Sequence, residues 1–327
     1  MRPDILVVGQ GLAGTLLAWE LERAGVPFLV VDRGHATAAT MAAAGIINPV
    51  TGRRLVKSWR ADVLLPQARA KYRELEAMLG IEVWRDMRVR RLFADERERQ
   101  VFAAKDVTGE LAPYAVQADD AGFWIEGAAR IELAVLLGAA RERWHKQGKL
   151  RVAAVEAAAE AKNYQMVIDC TGVAGAREGR FAHVPWEFSK GEMLELSVTG
   201  LTAGVILNRR HWLLPINTET AWVGATHEPG HFDTIPSDSA RAALEASARA
   251  LLARGVEITG HRAGVRVNLP DKHAVAGRHP ANPRLGVCNG LGAKGGLVAP
   301  ELARQWVCHL TRGDPFEAEF SPARFAR

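Results

Sequence analysis

The chain has 327 residues, of which 48% are hydrophobic and 24% charged, and its net charge at pH 7 is +5. These values are ordinary for a soluble globular protein of one or two domains, and no apolar run approaches the ~20 residues of a membrane span. The first apolar run begins at Ile5, which leaves no room for a signal peptide, and the three cysteines show neither metal-ligand spacing nor a disulfide framework. We therefore expect a cytoplasmic protein without a bound metal, and the mild positive charge permits an anionic or nucleic-acid partner without requiring one.

The N-terminal stretch predicts a strand, a glycine-rich turn and a helix. Residues 5–8 are an apolar run of the length of a buried strand, and residues 12–24 have the spacing of a helix. Between them, Gly9, Gly11 and Gly14 have the spacing Gly-x-Gly-x-x-Gly. The first glycine permits a tight turn, the second lets a pyrophosphate approach the backbone, and the third lets helix and strand pack closely.

A second apolar run, residues 28–31, ends at Asp32. An acid about 20 residues after the glycines binds ribose hydroxyls in dinucleotide sites, and the phosphates would bind the free N–H groups at the start of the helix. The pattern predicts a dinucleotide site, and the alternative is an ordinary βαβ unit with turn glycines. The motif alone does not distinguish FAD from NAD.

Small residues dominate the next stretch, residues 36–45. They suit a backbone that lies close to a flat ligand, and the alternative is a flexible loop. A simple Rossmann-type dehydrogenase would continue directly to a third βαβ strand, which this chain does not do.

In the centre of the chain, the predicted elements change from a mixture of helices and strands to mostly β-strands. The spacing predicts helices at residues 60–79, 95–105 and 130–147 and strands at residues 83–93, 121–126, 150–155 and 166–168. The last of these strands leads into Thr171 and Gly172, which suits a strand tip that meets a nucleotide. From residue 184 onward the pattern predicts strands at 191–198, 204–207, 211–215, 221–225 and 258–267, with a helix at 238–254.

A second glycine-rich junction lies near the C-terminus. A short strand, residues 284–288, is followed by the glycine-rich segment 289–297 and a helix to about residue 310. A helix that begins at such a turn directs its positive end at a ligand. We therefore expect the nucleotide-binding domain to open and to close the chain, with a β-rich segment inserted between.

The order of these motifs resembles the D-amino acid oxidase-like family of FAD-dependent oxidoreductases, which includes glycine and sarcosine oxidases. The N-terminal glycines and Asp32 match the family's site for the ADP half of FAD, although many members carry Glu there. Residues 40–46 look like the family's loop beside the isoalloxazine, and residues 190–193 are similar to its R-G-Q-hydrophobic segment. Residues 290–300 are similar to its closing glycine-rich turn and flavin-facing helix.

The substrate side of the family resemblance rests on three further segments. Residues 212–215 and 223–226 look like the family's paired Y-x-x-P and I-G-x-T strands, and residues 263–266 resemble its G-x-R-P segment. The resemblance implies that Arg266 binds a substrate carboxylate, although Val267 replaces the family's proline. Trp212 stands at the position of the family's substrate-side tyrosine, so it can stack against a substrate but supplies no hydroxyl.

A narrower resemblance connects residues 45–49, 224–227 and 292–295 to the FAD domain of the bifunctional tRNA methylaminomethyl-2-thiouridine biosynthesis protein. That domain removes a carboxymethyl group from a wobble uridine. This chain lacks the methyltransferase half. Several basic residues near the expected site are compatible with tRNA, namely Arg53, Arg54, Lys57, Arg60, Arg88, Arg90 and Arg91, but a charge cluster is more often a solvated face.

The resemblance implies an α/β protein: a Rossmann-type FAD-binding domain with an inserted antiparallel β-sheet (α+β) substrate domain. We assign residues 1–80, 127–183 and 265–327 to the FAD-binding domain and residues 81–126 and 184–264 to the substrate domain. The predicted catalytic residues are Arg266, Lys294 and Trp212. The predicted FAD-binding residues are Gly9, Gly11, Leu12, Ala13, Gly14, Asp32, Arg33, Thr40, Ala44, Gly45, Ile46, Val155, Thr171, Gly172, Gly292, Ala293, Lys294, Gly295, Gly296 and Leu297.

The function that follows is oxidation of the C–N bond of an amino acid or N-substituted glycine by hydride transfer to the flavin. Arg266 would orient the carboxylate bidentately, and Lys294 with the helix behind it would place positive charge near the flavin. A solvated Lys294 and a structural ion pair at Arg266 are the alternatives. The alternative functions are tRNA wobble-uridine modification and a non-catalytic nucleotide-binding protein. The substrate, the electron acceptor and the oligomeric state are left open.

Overall fold

The computed structural model describes residues 4–34 and 38–325. Residues 35–37, which belong to the predicted small-residue loop, lie outside the described residues, as do both extreme ends of the chain. The strands are β1 (Ile5–Val8), β2 (Phe28–Asp32), β3 (Ile46–Ile47), β4 (Val50–Thr51), β5 (Val56–Lys57), β6 (Trp84–Leu92), β7 (Ala115–Asp119), β8 (Gly122–Ile131), β9 (Leu150–Val152), β10 (Met166–Asp169), β11 (Glu187–Ser197), β12 (Val205–Asn208), β13 (Trp212–Pro215), β14 (Thr220–Gly224), β15 (Glu228–Pro229), β16 (Glu257–Asn268), β17 (Val275–Arg278) and β18 (Leu285–Asn289).

The α-helices alternate with the strands in the N-terminal half and become sparse after residue 180. They are α1 (Leu12–Arg23), α2 (Ala39–Ala42), α3 (Ala61–Leu79), α4 (Glu96–Thr108), α5 (Leu133–Lys146), α6 (Ala157–Glu160), α7 (Val173–Arg177), α8 (Asp238–Leu252) and α9 (Gly295–Arg312). A short 3₁₀ helix, Pro322–Phe325, follows α9. The predicted helices and strands are present, with ends that differ by one to a few residues.

A six-stranded sheet in the order β17-β18-β10-β1-β2-β9 forms the nucleotide-binding part. Its strands pair in parallel except for β17, which pairs with β18 in the antiparallel sense. The strands β1 and β10 are apolar runs that are buried on both faces, as expected for a parallel sheet covered by helices. The carboxyl ends of β1, β2, β10 and β18 therefore meet along one edge, where ligands bind in open parallel sheets.

A ten-stranded sheet forms the second part, with β15-β11-β14-β13-β12-β6-β8-β3 as its main path and β16 and β7 paired to β11 and β8. Its pairs are antiparallel except for β12 with β6, which run in parallel. The predicted inserted antiparallel sheet is therefore present among the described strands, with one parallel pair between strands from separate segments of the chain. Helix α8 covers one face of this sheet through Leu244 and Ala248.

Strands from both segments assigned to the substrate domain join this one sheet. The strand β8 continues to Ile131 and β16 to Asn268, so both extend past the boundaries at 126 and 264. The division into two domains stays a proposal, with boundaries that these strands cross.

The largest core cluster includes the side of the six-stranded sheet covered by α1, α5 and α9 and continues through α3 to the ten-stranded sheet. Ten consecutive residues of α1, from Leu12 to Leu21, are buried. Helix α1 packs against α9, which joins the two ends of the chain in one layer. Trp306 of α9 is fully buried, and its indole N–H donates to the carbonyl of Val287 at 3.1 Å.

Candidate active site

A cleft of about 880 Å³ is lined by residues from both sheets, a volume within the range of cofactor and ligand pockets. Both glycine-rich turns contribute to it, as do the carboxyl ends of β2 and β10 and the inward face of β11, β13 and β16. The predicted residues that line it are Gly9, Gly11, Leu12, Ala13, Asp32, Arg33, Thr40, Ala44, Gly45, Ile46, Val155, Thr171, Gly172, Trp212, Arg266, Gly292, Ala293, Gly295 and Gly296.

The turn between β1 and α1 presents free backbone donors to this cleft. The N–H groups of Gly11 and Ala13 donate to no residue in the described part of the chain. Leu12 N–H is held by the hydroxyl of Thr40 at 3.2 Å. A methyl group at Gly11 would lie 3.4 Å from that hydroxyl oxygen, so glycine keeps this approach open. These donors at a helix start can receive phosphate oxygens.

The start of α9 presents a second set of free donors. Within residues 4–34 and 38–325, the N–H groups of Ala293, Gly295 and Gly296 have no hydrogen-bond acceptor, and all three residues line the cleft. A methyl group at Gly295 would lie 3.4 Å from the side chain of Leu12, so the two turns are neighbours. The positive ends of α1 and α9 therefore face the same cleft.

Asp32 lies at the tip of β2 with its carboxylate oriented by the backbone. Its Oδ2 accepts the N–H of Gln10 at 2.8 Å, and its Oδ1 accepts the N–H of Gly34 at 2.8 Å. The carboxylate is buried, and Arg141 of α5 contacts Oδ1 at 3.2 Å. Asp32 is thus a fixed acceptor at one end of the cleft.

Three predicted site residues do not line the cleft. Gly14 packs against the carbonyl of Gly9, which is the helix-to-strand contact expected of the third glycine. Leu297 is 4% exposed and belongs to the core. Lys294 occupies the N-cap position of α9 and is half-buried. Burial lowers the pKa of Lys294, and its catalytic role stays a prediction.

Arg266 lies on the cleft-facing side of β16. Its Nη1 donates to the carbonyl of Thr226 at 3.2 Å, and it forms no ion pair with any described carboxylate. The guanidinium lies directly over Gly191 of β11, where a side chain would displace it. Burial lowers the pKa of Arg266, since a guanidinium without a counter-ion is poorly solvated there.

An apolar wall of Trp212 and Met193 lies beside Arg266 in the cleft lining. The indole of Trp212 lies over Gly224, its partner on β14, because glycine leaves that side of the sheet open. Thr226 follows two residues later, and its backbone N–H donates to the carbonyl of Glu192. Its hydroxyl in turn accepts the N–H of Glu192 at 2.9 Å, so the residue whose carbonyl holds Arg266 is itself fixed.

The family model described as FAD-dependent oxidoreductase matches residues 4–309. The chain belongs to this family. A glycine oxidase from Pseudomonas aeruginosa is 25% identical, with 99% of both chains covered. The crystal structure of glycine oxidase from Geobacillus kaustophilus has a TM-score of 0.79 at 20% identity and covers 98% of both chains. That of iminodiacetate oxidase from Chelativorans sp. BNC1 has a TM-score of 0.77 at 20% identity and covers 97% of this chain and 99% of the other.

The predicted family, α/β fold and cofactor are confirmed by these matches. FAD is the cofactor of the family, and the cleft residues fit it. The cleft offers free N–H donors at two helix starts and an oriented carboxylate, which suit a diphosphate and a ribose. Glycine and alanine form much of the wall near α2, and such a wall would let a flat ring approach the backbone closely. The individual assignments of residues to FAD stay predictions.

Several lining residues were missed from the sequence. Asn289 lines the cleft, and its side-chain amide donates to the carbonyl of Gly172 at 2.8 Å. Arg180 lines it also and forms a buried ion pair with Asp169 at 2.7 Å. An arginine eleven residues after an acid has no local signature, so only the fold identifies this pair.

Most of the basic residues considered for tRNA form ion pairs. Lys57 contacts Asp62 at 2.6 Å, and Arg88 contacts Glu126 at 2.7 Å. The other pairs are Arg53 with Asp95, Arg60 with Glu317, Arg90 with Asp119 and Arg91 with Glu98. This pairing neutralises the cluster and supplies no support for a nucleic-acid surface.

Neither a metal cluster nor a membrane span is found among the described residues. Between residues 4 and 325, apart from 35–37, no group of three or more His, Cys, Asp and Glu side chains is placed to hold a metal ion. None of the helices described is long and apolar enough to cross a membrane.

Proposed function

We propose that this FAD-dependent oxidoreductase oxidises the C–N bond of an amino acid or N-substituted glycine. The observation that carries the proposal is Arg266, a largely buried guanidinium in the cleft wall with no carboxylate partner among the residues described. Burying a cation without a partner is costly, and the cost is offset when a ligand supplies the anion. A substrate carboxylate matches the planar, bidentate geometry of a guanidinium.

Two neighbours of Arg266 hold its guanidinium in a position from which it can bind a carboxylate. Gly191 leaves the space that the guanidinium occupies, and the carbonyl of Thr226 fixes Nη1 at 3.2 Å. One hydrogen bond to a carbonyl leaves the other N–H donors of the fork available. The carboxylate is therefore bound in one orientation, and the adjacent α-carbon is held in one place.

The remaining cleft residues suit the rest of such a substrate. Trp212 and Met193 contact apolar groups on the substrate nitrogen and exclude water from them. FAD supplies the two-electron acceptor when it is bound. The free N–H groups at the start of α9 provide a fixed positive potential for negative charge that develops in the cleft. An amino acid oxidase type of substrate is consistent with the glycine oxidase and iminodiacetate oxidase among the similar proteins.

Anaerobic reduction of the bound flavin tests the proposal. The holoenzyme is mixed with glycine, N-methylglycine, iminodiacetate and larger N-substituted glycines, and the flavin absorbance is followed. We expect at least one carboxylate-bearing amine to bleach the flavin, while the matching amine without a carboxylate does not. Bleaching that is independent of the carboxylate contradicts the proposed role of the cleft.

The variants Arg266→Ala and Arg262→Ala provide the matched comparison. Both arginines lie on the same face of β16, but Arg262 pairs with Glu195 at 2.8 Å and does not line the cleft. Each charge-assisted hydrogen bond contributes about 1.5–3 kcal/mol, so loss of two predicts a rise of at least about 100-fold in substrate Kd for Arg266→Ala. Arg262→Ala should leave the Kd near the wild-type value, and equal effects of the two changes would remove Arg266 from its role.

A further inference from the structure

An arginine outside the cleft wall joins two of the cofactor-binding elements. Arg141 lies on α5, and its Nη1 contacts the side-chain oxygen of Gln10 at 2.7 Å and Oδ1 of Asp32 at 3.2 Å. Gln10 stands between the first two glycines of the turn, and Asp32 stands at the tip of β2. One guanidinium nitrogen therefore connects the phosphate-binding turn to the ribose-binding acid.

Gln10 is fully buried and makes hydrogen bonds through three different groups. Its backbone N–H donates to Asp32 at 2.8 Å, its side-chain N–H donates to the carbonyl of Leu137 at 3.0 Å, and its side-chain oxygen accepts from Arg141. Because Leu137 and Arg141 are one helical turn apart on α5, the glycine-rich turn is fixed to that helix at two points.

These contacts determine the direction in which Asp32 can accept further hydrogen bonds. A carboxylate has about four acceptor positions, and Gly34, Gln10 and Arg141 occupy three of them. Among the residues that the structure describes, these three donors leave one acceptor direction for a ribose hydroxyl. Without Arg141, the backbone N–H groups of Gln10 and Gly34 still hold one oxygen each, but Oδ1 loses the only side-chain donor of the three and with it the link to α5.

The positive charge of Arg141 also favours the binding of FAD. A diphosphate bound at the glycine-rich turn would lie near the carboxylate of Asp32, and like charges repel one another. The guanidinium is 23% exposed, so solvent screens it only in part. It offsets the charge of Asp32 without occupying the cleft itself.

We propose that Arg141 is a positioning residue for FAD, which orients Asp32 toward the adenosine ribose and couples it through Gln10 to the phosphate-binding turn. The proposal concerns the adenosine half of the cofactor. It is independent of which amine is oxidised, because Arg266 and Trp212 take no part in it.

Titration of apoprotein with FAD tests the proposal, with flavin fluorescence as the measurement. We expect Arg141→Gln to raise the Kd for FAD at least tenfold, which corresponds to loss of a hydrogen bond to a charged group. Arg141→Lys keeps the charge but not the shared contact, so its Kd should rise less. FMN has a phosphate but lacks the adenosine ribose, so its Kd should rise less than that of FAD in Arg141→Gln, where the charge is lost, and should stay within twofold of the wild-type value in Arg141→Lys, where the charge is kept.

Arg143→Gln is the matched control on the same helix. Arg143 pairs with Glu22 at 3.1 Å, away from the cleft lining, so its removal should leave both Kd values unchanged. An unchanged FAD Kd in Arg141→Gln, or an equal loss of FAD and FMN affinity, overturns the proposal. If Arg141→Gln does not fold, Arg141→Lys decides: a rise in Kd for FAD alone supports the proposal, and wild-type affinity overturns it.

Discussion

Gly14 is a residue at which a single added methyl group should lower both the stability of the fold and the affinity for the cofactor. A Cβ at this position would collide with the carbonyl oxygen of Gly9 and would lie 3.3 Å from Cβ of Cys170. The oxygen belongs to the backbone of the glycine-rich turn, so it cannot rotate away as a flexible side chain does. Gly14→Ala must therefore move the start of α1 away from β1.

Two opposing contributions determine the size of the effect. Alanine in place of glycine in a helix stabilises by about 1 kcal/mol, whereas overpacking a core costs about 1–3 kcal/mol. The upper value applies here because residues 12–21 are buried and α1 packs against α9, which leaves the helix no free direction. We expect a net loss of about 2 kcal/mol in the free energy of unfolding. The displaced N–H groups should also weaken FAD binding.

Urea unfolding of the apoprotein and FAD titration measure both effects. Gly138→Ala is the control, because Gly138 lies in α5 and a methyl group there would meet no atom within 4 Å. That change should stabilise by about 0.5–1 kcal/mol and leave FAD affinity unchanged. If Gly14→Ala stabilises the protein as Gly138→Ala does, glycine at position 14 is not required for the close packing of α1 against the glycine-rich turn.

Three further changes have defined outcomes. Gly191→Ala should displace the guanidinium of Arg266 and raise the KM for a carboxylate substrate about tenfold or more, while the Kd for FAD stays unchanged. Steady-state kinetics measures the KM, and an unchanged value contradicts the proposed position of the guanidinium over Gly191. Arg180→Met leaves Asp169 buried without its cation and should cost about 3–5 kcal/mol in urea unfolding, and a loss below about 1 kcal/mol would contradict the buried pair. Burial lowers the pKa of Lys294, so the folded apoprotein binds fewer protons than the unfolded chain in the alkaline range below the usual lysine pKa. The free energy of unfolding should therefore rise with pH in that range, and Lys294→Met should lack this rise. If the wild type and the variant show the same dependence of the free energy of unfolding on pH, the lowered pKa of Lys294 is refuted.

Local signals in the sequence were sufficient for most of the secondary structure. The helix predicted at residues 238–254 is α8, Asp238–Leu252, because Ser237 caps it by accepting the N–H of Ala240. Gly80 ends α3 in the left-handed conformation with φ of 65°. Both signals act within a few residues, so they are visible without the fold. The strand β7 was missed because it is short and mostly exposed, and no alternation of apolar and polar residues marks it.

The sequence by itself determined the Gly-x-Gly-x-x-Gly turn, the acid at Asp32 and the family resemblance that singled out Arg266, since these depend on residue types at short, fixed spacings. Only the tertiary structure decided that Arg266 has no carboxylate partner in the described chain, and that Lys294 lies outside the cleft wall. It also brought Arg141 to Asp32 across 109 residues of sequence. The physical reason is that the charge and solvation of a side chain depend on whatever packs around it, and those neighbours come from distant segments that no local pattern specifies.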